Sequence, residues 1–508
     1  MVLARFGSLS PVNILIATSE AVPFAKTGGL ADVCGALPIE LAKLGQEVGL
    51  ILPLYRGIDE KFDVGPPLDL ELRVPIGNKW VDGQLHVAEL PGSDVPVYLV
   101  RQDEYFDRDG IYGSPDGIGF RDNCERYVFF CRAVMEAIRL LDLHVDVLHA
   151  NDWPTGLLSA YLEAEYRGVP PFESTATLFT IHNLAYQGTF WHWDMLLTGL
   201  DWKFFNWRQM EFHGDLNLMK TGVVFSDALN TVSPTYAREI QSAPLGCGLE
   251  DLLAHRGESL FGIINGVDDR EWNPATDEHI ATNYDVTSFA QGKAACKSDL
   301  QRACGLPERP DVPLIGFVGR LAEQKGFDLL VPVIEQWVAT HDAQWVVLGT
   351  GDRTYAEQIG TIARRYPDRV AALLEFSNPL AHRIEAGADM LVMPSRYEPC
   401  GLSQLYSLKY GTVPIVHATG GLVDTITDAN PETLRAGTAT GFQFSTYDTR
   451  TLSETVLRAC DHYAATDVWQ QIVTTGMKQD WSWANSARQY VSLYEQMVAR
   501  RREAVSLP

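Results

Sequence analysis

Short apolar runs bounded by turn residues alternate along most of this chain with longer segments of helical period. "VNILIATSE" (12–20) reads as a buried strand, "AVPFAKTGGL" as a loop with paired glycines, "ADVCGALPIELAKLG" as a helix and "EVGLILPLY" as a second strand. This βαβ unit sets a glycine loop at the carboxyl end of its first strand. "VPVYLV" (95–100), "VDVLHA" (145–150) and "TATLFTIHN" (175–183) are further strands. In "ALNTVSPTYAREI" a strand runs into a helix, with Ser233 and Pro234 suited to its N-cap and first turn.

The alternation restarts at Val312 with "VPLIGFVGRL", a helix from about 326, "QWVVLGTGD", a helix, "VAALLEF", "DMLVMP" and "TVPIVHATGG". Two successive doubly wound parallel sheets, an α/β fold, fit this pattern. "NGVDDREWNPATDE" breaks any regular element and marks the join. The expected domains are 1–266 and 267–481, with a final helical segment, 482–508, packing back across the N-terminal half. Two sheets of this kind gather their strand ends and glycine loops around one interdomain cleft, where ligands are expected to bind.

Composition narrows the partners. The 508 residues are 46% hydrophobic, enough for sizeable cores, and carry a formal net charge of −24, which argues against nucleic acid. The eight cysteines are dispersed, with no CxxC and no Cys/His cluster; the expectation is reduced thiols in the cytoplasm and no metal site. No signal-peptide pattern opens the chain, and "NILIA" is too short to span a bilayer, so no membrane partner is expected.

Four loops could carry chemistry. "KTGGLADV" (26–33) offers the cation Lys26 and amides at Gly28 and Gly29 that can approach an anion; a tight turn with an exposed lysine is the plainer alternative. "GRLAEQKG" (319–326) sets Arg320 and Lys325 five apart after a strand, suited to a diphosphate or simply to solvent. "LGTGD" (348–352), with Gly349, is another strand-end glycine loop. "EPCGLS" (398–403) starts a helix whose amides at Gly401, Leu402 and Ser403 could meet a phosphate. GxSxG, HExxH, Walker and GxGxxG motifs are all missing. With His182, Asp152 and Glu398 also at strand ends, the set suggests a nucleotide-linked donor whose diphosphate leaves.

Together with "TIHNLAYQG" (180–188), "TVSPTYAREI", "NGVDDREWNPATD" and "PSRYEPCGLSQLYSLKYGTVPIVHATGGLVDT", these motifs resemble, in order and over nearly the whole chain, the bacterial glycogen synthase and plant starch synthase family of retaining GT-B glycosyltransferases. The resemblance implies transfer of glucose from ADP-glucose to the non-reducing end of an α-1,4-glucan, with no cofactor and no metal. It places Lys26, Gly28 and Gly29 on the donor diphosphate from one side and Arg320 and Lys325 from the other. Glu398 would hold the glucose hydroxyls, and His182 would bind the sugar with its backbone carbonyl toward the reacting carbon. Asp152, Tyr112 and Asn265 would line the site. Cys400 would pack near the sugar without acting as nucleophile.

Four positions depart from the resemblance or refine it. Asn151 and Pro154 stand in "ANDWPTG" where relatives carry histidines, and Phe376 stands where relatives place a tyrosine near the adenine. Tyr406 occupies the position of a second glutamate found in sucrose- and trehalose-type transferases. A UDP-glucose-dependent or other-acceptor glucosyltransferase, and a non-catalytic glucan-binding initiation protein, are the alternatives.

Overall fold

The computed structural model describes residues 11–114 and 117–506 and divides into two compact units. Among these residues the first unit comprises 11–114, 117–232, 237–263 and 483–506, and the second comprises 233–236 and 264–482.

The first unit holds β1 (Asn13–Ala17), β2 (Glu47–Pro53), β3 (Leu72–Ile76), β4 (Lys79–Glu89), β5 (Pro96–Arg101), β6 (Val147–Asn151), β7 (Ala176–Ile181), β8 (Thr189–Phe190), β9 (Glu211–Phe212), β10 (Asp215–Asn217), β11 (Ala228–Thr231) and β12 (Leu260–Gly262). Nine of them form one sheet in the order β12-β11-β7-β6-β1-β2-β5-β4-β3. From β12 to β5 every pairing is parallel, with β1 central. The apolar runs read as strands are these parallel ones, because a sheet covered on both faces needs apolar residues at consecutive positions.

The antiparallel edge escapes that pattern. β3 and β4 form a hairpin around Gly77 and Asn78, with Gly77 at φ 58°. β4 then pairs with β5, Leu85 opposite Val100. A two-residue Gly-Asn turn between alternating runs is the local signal for this hairpin. A small second sheet, β8-β10-β9, lies outside the main one.

The helix Trp483–Ser506 belongs to the first unit. Its Tyr490 and Tyr494 are fully buried. The Tyr490 hydroxyl accepts from Asn230 Nδ2 at 2.9 Å, and the Tyr494 hydroxyl lies 2.9 Å from His149 Nδ1. Asn230 and His149 sit on β11 and β6, so the tyrosines satisfy polar groups beneath the sheet that would otherwise be costly to bury.

In the second unit, β13 (Leu314–Val318), β14 (Gln344–Leu348), β15 (Val370–Leu373), β16 (Met390–Met393), β17 (Val413–His417) and β18 (Phe442–Phe444) form an all-parallel sheet. Its order is β15-β14-β13-β16-β17-β18. Counted from β13, this is the 3-2-1-4-5-6 order of doubly wound dinucleotide folds, whose winding reverses between β13 and β16. Crevices for ligands open at the carboxyl ends of such strands.

A buried aromatic stack closes one side of this unit. The Trp272 ring lies between His382, at 3.8 Å and 10°, and Tyr406, at 3.9 Å and 3°. Tyr406, at the position of a second glutamate in other transferases, is thus a packing residue. Behind the stack, His382 Nδ1 lies 2.7 Å from Asp277 Oδ2, and Tyr410 donates to the same oxygen at 2.6 Å. Burial alone would raise the Asp277 carboxyl, yet these hydrogen bonds hold it below its ordinary range. Among the described residues no helix is long and apolar enough to cross a membrane.

Because the folded carboxyl is depressed, the unfolded chain binds more protons between the two pKa values; the resulting stability is present above pH 4 and lost as pH falls through the folded value. Asp277→Asn is therefore expected to lower the urea-unfolding free energy of the second unit by about 2 kcal/mol at pH 7, the scale of lost hydrogen bonds to a buried charge. The gap from wild type should narrow below pH 4. Urea melts at the two pH values measure both.

Candidate functional site

In the second unit the chemistry gathers at the winding reversal. The loop after β13 carries Arg320 and, in a short 3₁₀ turn, Glu323–Lys325. Gly326 follows at φ 78°, and a Cβ there would stand 2.0 Å from the Pro394 carbonyl oxygen just past β16. Glycine lets this loop lie against the end of the neighbouring strand. A backbone bond from Arg396 N to Gln324 O, 2.9 Å, fastens the contact.

The consequence is an ion pair between residues far apart in sequence. Lys325 Nζ donates to Glu398 Oε2 at 2.6 Å, and Ser395 Oγ donates to the same oxygen at 3.0 Å. The Glu398 side chain is 7% exposed and that of Lys325 21%. Arg320, exposed, donates to Gln324 Oε1 at 3.0 Å. The loop after β14 packs into the same cluster: a Cβ on Gly349 would stand 1.8 Å from the Gly319 carbonyl oxygen, and Leu321 N donates to Thr350 O at 2.9 Å. Backbone packing therefore accounts for the glycine at 349.

Gly401, at φ 73°, turns the chain into the helix Ser403–Tyr410, with Leu402 at the N-cap. Cys400 is buried, and desolvation pushes its thiol up to about 12, which leaves it protonated and unreactive. A backbone hydrogen bond from Asn265 touches the same thiol. The side-chain oxygen Oδ1 of Asn265 is itself buried and has no partner in the structure. Phe376, in the loop after β15, is 85% exposed, so its ring contributes almost nothing to the core.

The first unit assembles a second cluster where its own sheet reverses, between β1 and β6. The loop after β1 holds a residue that motif reading passes over, Glu20, which is 3% exposed. Its carboxylate accepts from the Thr27 amide, from Thr27 Oγ1 at 2.7 Å, from the Gly28 amide at 3.2 Å and from the Tyr112 hydroxyl at 2.6 Å. Part of the glycine loop's anion-binding capacity is thus occupied by the protein's own carboxylate. Gly28 is the N-cap of the helix Gly29–Lys43, and Lys26 pairs with Asp32 in its first turn at 2.7 Å. The one local signal for Glu20 is an acidic residue directly after a buried strand; its partner Tyr112 is 92 residues away.

The loop after β6 carries Asp152 at φ 55°, an uncommon backbone state for a residue with a side chain. Asp152 Oδ1 accepts from the His182 amide at 2.8 Å. Burial, with the negative charge of Glu20 adding to it, raises the Asp152 carboxyl to about 7, against hydrogen bonds from the His182 and Asn183 backbone that pull it down. Burial lowers the His182 imidazole to about 3, so the ring is neutral.

Its tautomer follows from Asn151. The Asn151 amide nitrogen donates to the Ala17 and His149 carbonyls, at 3.1 and 3.3 Å. The Asn151 oxygen, 2.9 Å from His182 Nε2, is therefore an acceptor, and Nε2 carries the proton. His182 Nδ1 keeps its lone pair. Asn151 thus fixes the orientation of the His182 ring.

The expected site residues divide between the two units. Lys26, Gly28, Gly29, Tyr112, Asp152 and His182 lie in the first unit; Asn265, Arg320, Lys325, Gly349, Phe376, Glu398, Cys400, Gly401, Leu402 and Ser403 lie in the second. Among the described residues no three His, Cys, Asp or Glu side chains group as a metal cage.

Known proteins match at both levels of this architecture. Residues 13–255 match the family model for the starch synthase catalytic domain, and residues 305–471 that for glycosyl transferases group 1. A glycogen synthase of Rhodopirellula baltica is 45% identical, covering 97% of this chain and all of its own. One from Thermotoga maritima is 42% identical over 96% and 99% of the two chains. Among solved structures, the catalytic domain of starch synthase IV from Arabidopsis thaliana, bound to ADP and acarbose, superposes with a TM-score of 0.88 at 30% identity, covering 96% of this chain and all of that one. A sucrose-phosphate synthase from Thermosynechococcus elongatus, at TM-score 0.58 and 18% identity, shares the fold. With two Rossmann-like units, and relatives of this identity over its whole length, the chain belongs to the glycogen and starch synthase family of GT-B glycosyltransferases.

Proposed function

We propose that this glucan synthase takes its glucose from ADP-glucose and adds it, with retention, to the non-reducing end of an α-1,4-glucan, without a metal. The observation that carries the reading is the Lys325–Glu398 pair at the winding reversal, a buried carboxylate and a lysine held 2.6 Å apart and ready for a ligand that is anionic at one end and rich in hydroxyls at the other. On donor binding Lys325 and Arg320 turn to the diphosphate and stabilise charge on the departing nucleotide. Glu398, kept in place by Ser395, then accepts from the glucose hydroxyls. The amides at Gly401, Leu402 and Ser403, at a helix N-terminus, favour the same negative charge.

In the first unit Lys26 exchanges Asp32 for the diphosphate. The Gly28 amide already serves Glu20, so Lys26 and the Gly29 amide carry the larger share of that contact. Asp152 is a positioning residue: by fixing the His182 amide it aims the His182 carbonyl at the carbon where positive charge develops. The neutral His182 ring accepts a sugar hydroxyl at Nδ1.

Two features support the nucleotide end. The exposed ring of Phe376 offers a face for a base to stack on. The unpartnered Asn265 oxygen offers a buried acceptor. The structural relative solved with ADP supports adenine over uracil. All eight cysteines are free, which fits the reducing cytoplasm.

Three outcomes test the proposal. With a glycogen primer, kcat/KM for ADP-glucose should exceed that for UDP-glucose by about tenfold or more, a difference worth about 1.4 kcal/mol; a preference for UDP-glucose would overturn the donor assignment. Turnover should survive EDTA, and its loss on chelation would refute metal-free transfer. Glu398→Gln should cost about 10²–10³ in kcat, the scale of one lost electrostatic contact in a transition state, with melting temperature and glycogen binding unchanged; near-normal kcat in that variant would remove Glu398 from its role.

A further inference from the structure

Just past Phe190, whose ring centre lies 5.7 Å from that of Trp153, the first unit displays a row of tryptophans to solvent. Trp191 is 62% exposed, Trp193 49% and Trp202 42%. The Trp191 and Trp193 ring centres are 6.5 Å apart and inclined by 67°; those of Trp193 and Trp202 are 5.6 Å apart and inclined by 36°. Next along the chain, Asn206, Trp207, Arg208 and Gln209 line a depression of about 530 Å³.

The frame beneath this row is stiff. Met195 and Thr198 are fully buried. The Thr198 carbonyl accepts from Arg132 Nε at 3.1 Å and from the Tyr161 hydroxyl at 2.9 Å. The partly buried Lys220 ammonium donates to the carbonyls of Trp207 and Glu211, at 2.6 and 2.7 Å. Apolar rings held in water on an ordered backbone lose little further freedom on binding, which favours a preformed recognition surface.

We infer that Trp191, Trp193 and Trp202 form a docking platform for a segment of the α-1,4-glucan polymer. The inference rests on the α-glucan reading of the acceptor. A glucose ring has an apolar C–H face that stacks on an aromatic ring and a hydroxylated rim that needs donors and acceptors. The tryptophans supply the first, and the polar residues of the adjoining depression supply the second. The ligand is uncharged, as suits a chain of net charge −24. Ring inclination selects among glucans: a flat β-1,4 chain wants coplanar rings, whereas an α-1,4 chain curves and presents successive sugars at an angle, as these rings do. Such a platform holds the polymer near the enzyme between additions and leaves transfer to short acceptors untouched.

Native electrophoresis through glycogen-containing gels, with titrations of maltoheptaose and cellohexaose followed by tryptophan fluorescence, tests it on wild type and Trp191→Ala/Trp193→Ala. Losing two stacking faces should weaken glycogen and maltoheptaose binding about tenfold and raise KM for glycogen alike, while kcat with maltose and the melting temperature stay unchanged. Wild-type affinity in the variant, with glycogen still elongated, overturns the platform and leaves the acceptor reading standing. Cellohexaose binding equal to maltoheptaose overturns the curvature argument. A wild type that neither binds nor elongates glycogen overturns the acceptor reading and the platform with it. A change in oligomeric state without a change in glucan affinity assigns the face to a second copy of the chain instead.

Discussion

Much of the second unit's chemistry depends on a contact too close for any side chain, that of Gly326 with the Pro394 carbonyl. It seats the loop after β13 on the end of β16, across the point where the sheet changes its direction of winding. The lysine that precedes the glycine is thereby brought to a glutamate 73 residues later. A side chain at 326 would lift the loop and separate the pair, leaving a nearly buried carboxylate without its counter-charge. The cost of such a separation, several kcal/mol for a desolvated charge, explains why the loop is fastened by backbone bonds as well.

The first unit solves the same electrostatic problem with other residues. Glu20 takes the amides of Thr27 and Gly28, and Asp32 takes Lys26. Lys26 and Lys325, both expected to meet the donor, are each ion-paired within their own unit, at 2.7 and 2.6 Å. On the proposed reading, donor binding would be an exchange of partners. Its free energy is the difference between two charge-assisted contacts, so the protein need not hold several uncompensated charges in a low-dielectric site while it waits.

What was legible in the sequence follows from locality. Parallel strands announce themselves as apolar runs because both faces are covered, and strand-end loops are marked by their glycines. The β3–β4 edge is half-exposed, so it alternates instead of running apolar throughout, and its sharpest signal is the Gly77–Asn78 turn. Within the site, Lys26, Arg320, Lys325, Asp152, His182 and Glu398 could be singled out from their loops and from the family resemblance. Their pairings could not, because 73 residues separate Lys325 from Glu398 and 92 separate Glu20 from Tyr112. Glu20 carries no motif of its own; its role arises where two amides, a threonine and a tyrosine converge in space. The reason for glycine at 349 was hidden similarly, since the carbonyl it must avoid belongs to Gly319.

The titration states of the buried groups bear on where the acceptor's proton goes. His182, at about 3, is too weak a base to remove it. Cys400, at about 12, is a thiol that neither attacks nor deprotonates at neutral pH. Asp152, at about 7, has the basicity, but one of its oxygens is committed to the His182 amide, and its ionised form is disfavoured by burial beside Glu20. General-base catalysis works best from a group of matched pKa within reach of the proton, and none of these three combines both. On the proposed reading a phosphate oxygen of the departing nucleotide would combine them, since it would gain basicity as the bond to glucose breaks, on the face from which a retaining acceptor would arrive. In that proposal Lys325, Arg320 and Lys26 would have two tasks in tension, to stabilise the leaving charge and to leave one oxygen basic enough to take the proton. Holding those cations initially in ion pairs with Glu398 and Asp32, with Arg320 on the neutral Gln324, is one way to moderate the first task in favour of the second.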